Sequence, residues 1–160
     1  NKKINKSVYL NIALAKQQYN KDILEGKQIG QYGIISSLIA VADVSYKIKK
    51  GHTIRVELQG LVSNQDELAI EQSEGDWTMA LAEYTVSPNW FFSLQDMYNS
   101  GNYDKEKRLH YINATVGYIK GVNRFEIGYG KKREGIFCVG GVCKVVPSSN
   151  GFNLNISSNF

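Results

Sequence analysis

The sequence predicts an all-β chain: an antiparallel up-and-down transmembrane β-barrel with about eight strands. Two observations carry this. Apolar and polar residues alternate with period two over segments about as long as a bilayer-crossing strand. The connections between segments alternate strictly, long, short, long, short, long, short, long. Bulk composition does not object. The 160 residues are 42% hydrophobic and 21% charged, values that suit a soluble protein and equally suit strands that face lipid on one side and a polar lumen on the other.

The first segment, Ser7 to Gln17, sets Val8, Leu10, Ile12 and Leu14 against Tyr9, Asn11, Ala13 and Ala15. A polar loop with Asp22, Glu25, Gly26 and Gly30 leads to Leu38, Ala40, Ala42, Val44, Tyr46 and Ile48 on one face, with Asp43, Ser45 and Lys47 on the other. After the Lys50-Gly51-His52 turn, Ile54, Val56, Leu58 and Val62 alternate with Arg55, Glu57 and Gln59. An acidic loop from Asn64 to Gly75 precedes a strand over Trp77 to Val86. Pro88-Asn89 then breaks the ladder, because proline has no amide proton to donate.

Trp90, Phe92 and Leu94 alternate with Phe91, Ser93 and Gln95, and a loop spans Asn99 to Lys107. Leu109 to Lys120 follows, then a Gly121-Val122 turn, then Phe125, Ile127 and Tyr129 opposite Arg124, Glu126 and Gly128. A long loop from Lys131 to Asn150 precedes the last strand, where Phe152, Leu154, Ile156 and Phe160 share a face. Short periplasmic turns and long extracellular loops fit this alternation. It places Asp22 to Gly30, Asp66 to Gly75, Gly101 to Lys107 and Glu134 to Ser149 outside the cell, and Gly51, Asn89 and Gly121 in the periplasm. Tyr46, Tyr84, Trp90 and Tyr118 all fall beside the short turns on lipid-assigned faces, as an interfacial girdle would.

The charged residues Asp43, Lys47, Arg55, Glu57, Glu83, Arg124 and Glu126 fall on inward faces. They read either as a solute-selecting pore lining or as a salt-bridge network filling a narrow barrel. A closed eight-stranded barrel favours the network; a larger one favours the pore. The net charge of +4 is dispersed, so no nucleic-acid partner is expected. The clusters Lys105, Lys107, Arg108 and Lys131-Lys132-Arg133 read as a solvated rim.

Cys138 and Cys143 flank Val139-Gly140-Gly141-Val142. A two-residue Gly-Gly turn would set the cysteines opposite each other within disulfide reach. A metal site would need further ligands than His52 and His110 provide, so no metal or cofactor is expected. His52 reads as solvated in its turn, and His110 as outward-facing with Ile112 and Ala114. No Gly-x-Ser-x-Gly elbow or phosphate loop is present, so no catalytic residue and no enzyme is expected. The chain opens at Asn1 rather than Met, as a processed product or fragment would.

The run Gly128 to Cys143 continuing to Pro147 and Phe160, with Gly75-Asp76-Trp77, Trp90-Phe91-Phe92 and Asp96-Met97-Tyr98, resembles the C-terminal part of an uncharacterised family of Bacteroidota outer-membrane barrels. The resemblance covers most of the chain from about Thr53 onward. It implies a barrel fold in a Gram-negative outer membrane and the last eight strands of a larger barrel, and it supplies no catalytic residues. Phe160 resembles the terminal aromatic used by the barrel assembly machinery. The expected partners are outer-membrane lipid, lipopolysaccharide, that machinery and other envelope proteins. The expected role is a passive channel or a structural or accessory component of an envelope assembly. The rival is a secreted β-sandwich or small-ligand-binding barrel.

Overall fold

The computed structural model describes residues 2–4 and 6–158; Phe160, the expected assembly signal, lies outside them. In chain order the elements are β1 (Lys2–Lys3), β2 (Val8–Asn20), a helical turn α1 (Lys21–Leu24), β3 (Ile34–Lys49), β4 (His52–Gln65), β5 (Trp77–Val86) and β6 (Trp90–Tyr98). A 3-10 turn (Lys105–Lys107), β7 (His110–Lys120), β8 (Asn123–Lys132), β9 (Gly135–Val139), β10 (Val142–Val146) and β11 (Ser149–Ser158) follow. One antiparallel sheet runs in the order β1-β2-β3-β4-β5-β6-β7-β8-β11, and β9 pairs with β10 in a separate hairpin.

The expected segments correspond to β2 through β8 and β11, and β5 agrees with its expected bounds at both ends. The first strand runs to Asn20 rather than Gln17, and β3 and β4 reach Ile34 and Gln65. Polar residues such as Ser36, Ser37 and Asn64 extend these ladders, because backbone pairing continues where apolar alternation has stopped. The short connections fall where expected. Gly51 and Gly121 turn the chain at φ of 80° and 59°, a region that L side chains avoid.

The registers align side chains in rows across the sheet. One row reads Val8, Tyr46, Ile54, Tyr84, Phe92, Val116, Ile127, Leu154, and the next reads Leu10, Val44, Val56, Ala82, Leu94, Ala114, Tyr129, Phe152. On the opposite face a row reads Tyr9, Ser45, Arg55, Glu83, Ser93, Thr115, Gly128, Asn153. The burial is inverted relative to a water-soluble core. Leu14, Ile112 and Phe152 on the apolar face are 74%, 53% and 83% exposed, whereas Glu83, Asn113 and Glu126 on the polar face are buried.

The sheet is open. Among the described residues β11 pairs only with β8, and beyond Leu10 the outer edge of β2 has no partner strand. Both faces of β2 are accordingly exposed from Asn11 to Gln18.

At the long-loop end the connections clasp one another. Asp22, in α1, is buried, and its carboxylate accepts the amides of Gly30 (2.8 Å), Tyr32 (2.8 Å) and Gly33 (3.0 Å), cinching the loop between β2 and β3. Tyr32 donates its hydroxyl to Glu71 at 2.8 Å, and the Glu71 amide donates to the Gln31 carbonyl at 2.8 Å, joining this loop to the next. Gly75 and Gly101 then meet so closely that a Cβ on Gly75 would lie 2.2 Å from the Gly101 carbonyl oxygen.

Burial opposes ionisation of Asp22, but the amides of Tyr32, Gly33, Gly30 and Gln31 together outweigh it and hold its pKa below the 3.8 of a free aspartate. A lowered folded-state pKa means that the stabilisation is present above about 3.8 and is lost as pH falls through the lower folded value. Asp22→Ala should therefore speed hydrogen exchange at the Gly30, Tyr32 and Gly33 amides about tenfold or more at neutral pH. Unchanged exchange there would remove Asp22 as the organiser of this loop.

Candidate functional site

The polar face carries the chemistry. Arg55, at the short-turn end of β4, donates from Nε to Asp43 on β3 at 2.5 Å and from Nη1 to Glu83 on β5 at 2.7 Å, and it also contacts Glu57. One guanidinium thus meets three carboxylates, and the unbalanced charge is offset elsewhere. Across the face Arg124 donates Nε to Glu126 at 2.6 Å, and Lys144 from β10 reaches the other oxygen of the same carboxylate at 2.7 Å. Asn155 donates to that oxygen at 2.9 Å. A buried carboxylate requires such partners, since desolvating an unpaired charge costs several kcal/mol.

Six of the seven residues expected to face inward, Asp43, Arg55, Glu57, Glu83, Arg124 and Glu126, meet in these two clusters. Lys47 shares their face but stands apart at the short-turn end, its ammonium 5.3 Å from the Tyr9 ring. Of the four expected girdle aromatics, Tyr46 and Trp90 are exposed on the apolar face and Tyr84 and Tyr118 half-buried. Trp90 and Tyr118 lie 4.7 Å apart, and Phe92 bridges Trp90 and Tyr84. His110 faces outward as expected, stacked on Tyr98 at 4.1 Å and bonded to Asp96 at 2.7 Å. His52 is not simply solvated: its Nδ1 pairs with the Tyr84 hydroxyl at 2.6 Å, because β4 begins at this residue and places it beside β5.

Cys138 and Cys143 face each other in the β9–β10 register and are joined by a disulfide. Gly140 and Gly141 turn the hairpin with φ of 53° and 77°, the two positive values a tight two-residue turn requires. The expected outward loop from Lys131 to Asn150 takes another course. The chain leaves β8 at Lys132, and the hairpin folds back along the polar face until its tip lies near the short turns. There the Gly140 amide donates to Glu83 at 2.6 Å, and Arg124 donates to the carbonyls of Gly140 (3.2 Å) and Val139 (2.9 Å).

The reason for the inward course is an apolar landing site. Phe91 of β6 packs with Phe137 and Val139 of the hairpin, flanked by Ile119 and Val146, in the buried hydrophobic cluster. The Arg124 guanidinium lies 4.3 Å from the Phe91 ring centre, a cation–π contact in a desolvated place. Gly117, directly across from Phe91, supplies the room: a Cβ there would lie 1.9 Å from Phe91 Cζ. Lys132 departs from the solvated rim expected for Lys131-Lys132-Arg133. It is buried, donating to Asn153 at 2.8 Å with its ammonium 4.4 Å from the Phe137 ring.

Between hairpin and wall lies a cleft of about 690 Å³, lined by Arg55, Glu57, Glu83 and Met79 on one side and by Ile136 and Gly141 on the other. No cluster able to hold a metal ion occurs among the described residues. Sequence reading missed Phe91, Gly117, Lys132 and Lys144 as members of this site. A glycine inside a strand and a phenylalanine at an inward position were the available signals.

Together these features define an all-β protein whose single large sheet buries its polar face, under a disulfide-clipped hairpin, and bares its apolar one. The whole chain, residues 1–160, matches the model of a family of unknown function, DUF6029, and the chain belongs to that family. No curated protein and no solved structure matches it.

Gly117→Ala should push the Phe91 ring from its seat and loosen the hairpin, at a cost of about 1–3 kcal/mol typical of overpacking. Trypsin should then cut faster after Lys144 in the folded protein. An unchanged cleavage rate would show that the hairpin does not depend on the Phe91–Gly117 contact.

Proposed function

We propose that this chain forms the wall of an outer-membrane β-barrel that serves as a passive channel, with the polar face lining the water-filled lumen. The inverted burial carries the reading. Eight strands align apolar side chains in continuous rows on a face that no other described element covers. Water would not tolerate so large an apolar surface on a monomer, whereas lipid matches it. Strands β5 to β8 and β11 have 9 to 11 residues, the length that crosses a bilayer when tilted. The aromatic cluster of Tyr84, Trp90, Phe92 and Tyr118 beside the short turns suits a membrane boundary. No helix of the described residues is long and apolar enough to cross a membrane, and strands need none.

A soluble sandwich is disfavoured by the position of the hairpin, which lies on the polar face where a sandwich would require its second sheet on the apolar one. The hairpin also bears on the size of the wall. An eight-stranded barrel has an interior filled by its own side chains, with no room for two further strands. The wall therefore closes with more strands than these eight, at the open edges of β2 and β11. The engagement of the side chains present supports passage as the proposed role. His110 is turned outward with Asp96, and the lumenal charges are engaged with one another. Bacteroidota outer membrane is the proposed setting, with lipid and lipopolysaccharide against the apolar face and assembly through the C-terminal strand.

Val56 faces outward and Glu57 inward in the same strand. Val56→Arg should cost about 2–4 kcal/mol in the bilayer and abolish assembly, while Glu57→Gln should still assemble. Heat-modifiable migration of the detergent-extracted protein measures both. Equal tolerance, or extraction of the wild type without detergent, would overturn the membrane reading.

A further inference from the structure

We infer that the clipped β9–β10 hairpin is a fixed lumenal plug that narrows this channel to small hydrophilic solutes. The inference rests on the channel reading above and adds what sets its bore. Three observations carry it. First, the hairpin is long enough to run from Lys132, at the long-loop end of the wall, to a tip beside Glu83 and Arg124 near the short turns. It therefore obstructs the lumen along most of its depth, not only at its mouth.

Second, the hairpin is anchored at its tip and along both of its strands by different forces. Its tip is held by the Glu83 carboxylate and the Arg124 guanidinium. Lys144 on its second strand is held by Glu126 at 2.7 Å. Phe137 and Val139 are buried against Phe91. A lone two-stranded hairpin is marginal in water; here the disulfide and the wall supply what it lacks, so it is a rigid insert rather than a swinging flap.

Third, the cleft between the hairpin and the strands it lies on is small and mixed in character. The cleft of about 690 Å³ is lined by Arg55, Glu57, Gln59 and Glu83 together with Met79 and Ile136. That volume accommodates one solute of at most drug-like size. The wall charges are already paired with one another, so they orient a polar solute without trapping a particular ion. Small sugars, amino acids and similar neutral or zwitterionic molecules fit this lining.

The test compares the full chain, in the protein as it occurs, with a variant in which residues 135–146 are replaced by a short Gly-Ser linker. In planar bilayers, removal of the hairpin should raise single-channel conductance about twofold or more. In liposome-swelling assays it should shift the size limit from monosaccharides to oligosaccharides. An unchanged conductance and size limit in a variant that still assembles would overturn the plug. A second variant keeps the question open to refutation if the linker variant fails to fold: it carries Lys144→Cys and Glu126→Cys and is treated in isolated membranes with a short thiol-reactive cross-linker, a bis-maleimide. An intramolecular cross-link supports a hairpin seated in the lumen, and separate labelling of both thiols without a cross-link overturns it. Should neither wild type nor variant conduct while the cross-link forms, the channel reading falls and the seated hairpin stands as a permanent seal.

Discussion

Everything in this fold depends on a sheet whose apolar face is covered by none of the described elements. In a water-soluble domain the hydrophobic effect is satisfied inside, where apolar side chains pack, and polar groups are left to the solvent. Here the assignment is reversed, and the interior has to be built from hydrogen bonds and ion pairs. Asn113, Thr115, Ser93, Gln95 and Glu126 are buried where an ordinary core would hold leucine and valine. Such an interior is directional, because each buried donor or acceptor needs a partner at a set position. Thr115 donates to Asn113 at 3.0 Å, and Glu126 is met by Arg124, Lys144 and Asn155. The sheet is held by backbone ladders and its polar face by side-chain networks, with little apolar packing between them.

That division explains why the sheet was legible in the chain and the arrangement on its polar face was not. Strand parity follows from period-two alternation, and one face of each strand must match one medium, so a run such as Ile54, Val56, Leu58 against Arg55, Glu57, Gln59 leaves a single orientation. The short turns announce themselves through Gly51, Pro88 and Gly121, and the cysteine pair through Gly140-Gly141. Contacts between segments remote in sequence leave no comparable trace. The parity of Arg124, Glu126 and Gly128 carries on to Lys132 and not to Arg133, but nothing in the spacing says that the strand continues that far or that Phe137 returns to cover it. Arg133 lies over the Trp77 ring at 4.3 Å and pairs with Glu74. Asp22 likewise reads as one acidic residue in a polar loop. Its capture of three amides depends on how the chain returns at Gly30 to Gly33.

The ionised groups show how the two halves of the site depend on each other. Arg55 alone cannot balance Asp43, Glu57 and Glu83, and Glu126 alone cannot balance Arg124 and Lys144. The hairpin tip joins them, since the Gly140 amide gives Glu83 a donor while the Val139 carbonyl, in the same peptide unit, accepts from Arg124. One peptide unit thus connects an acid-rich cluster to a base-rich one through a short chain of bonds. Both charges at its ends stay satisfied in a place where water is partly excluded.

The hairpin's footprint can also be read back onto the strands beneath it. Along β6 and β7 the inward positions should all be polar if they met only water, and Ser93, Gln95, Asn113 and Thr115 at mid-strand are. Met97 and Tyr111 pair at one end, beside Ile136 and Phe137 where the hairpin begins, and Phe91, Gly117 and Ile119 sit together at the other, the short-turn end, where Val139 and Gly140 arrive. Gly140 is required there for a second reason besides its turn geometry, because a Cβ would stand 2.7 Å from Arg124 Nη2 and 2.9 Å from Phe91 Cδ2. Apolar or glycine residues at inward positions of a polar-lined wall are thus the sequence's record of something lodged against it. In a wall of this kind a break in the alternation marks a contact rather than a weakness of the pattern.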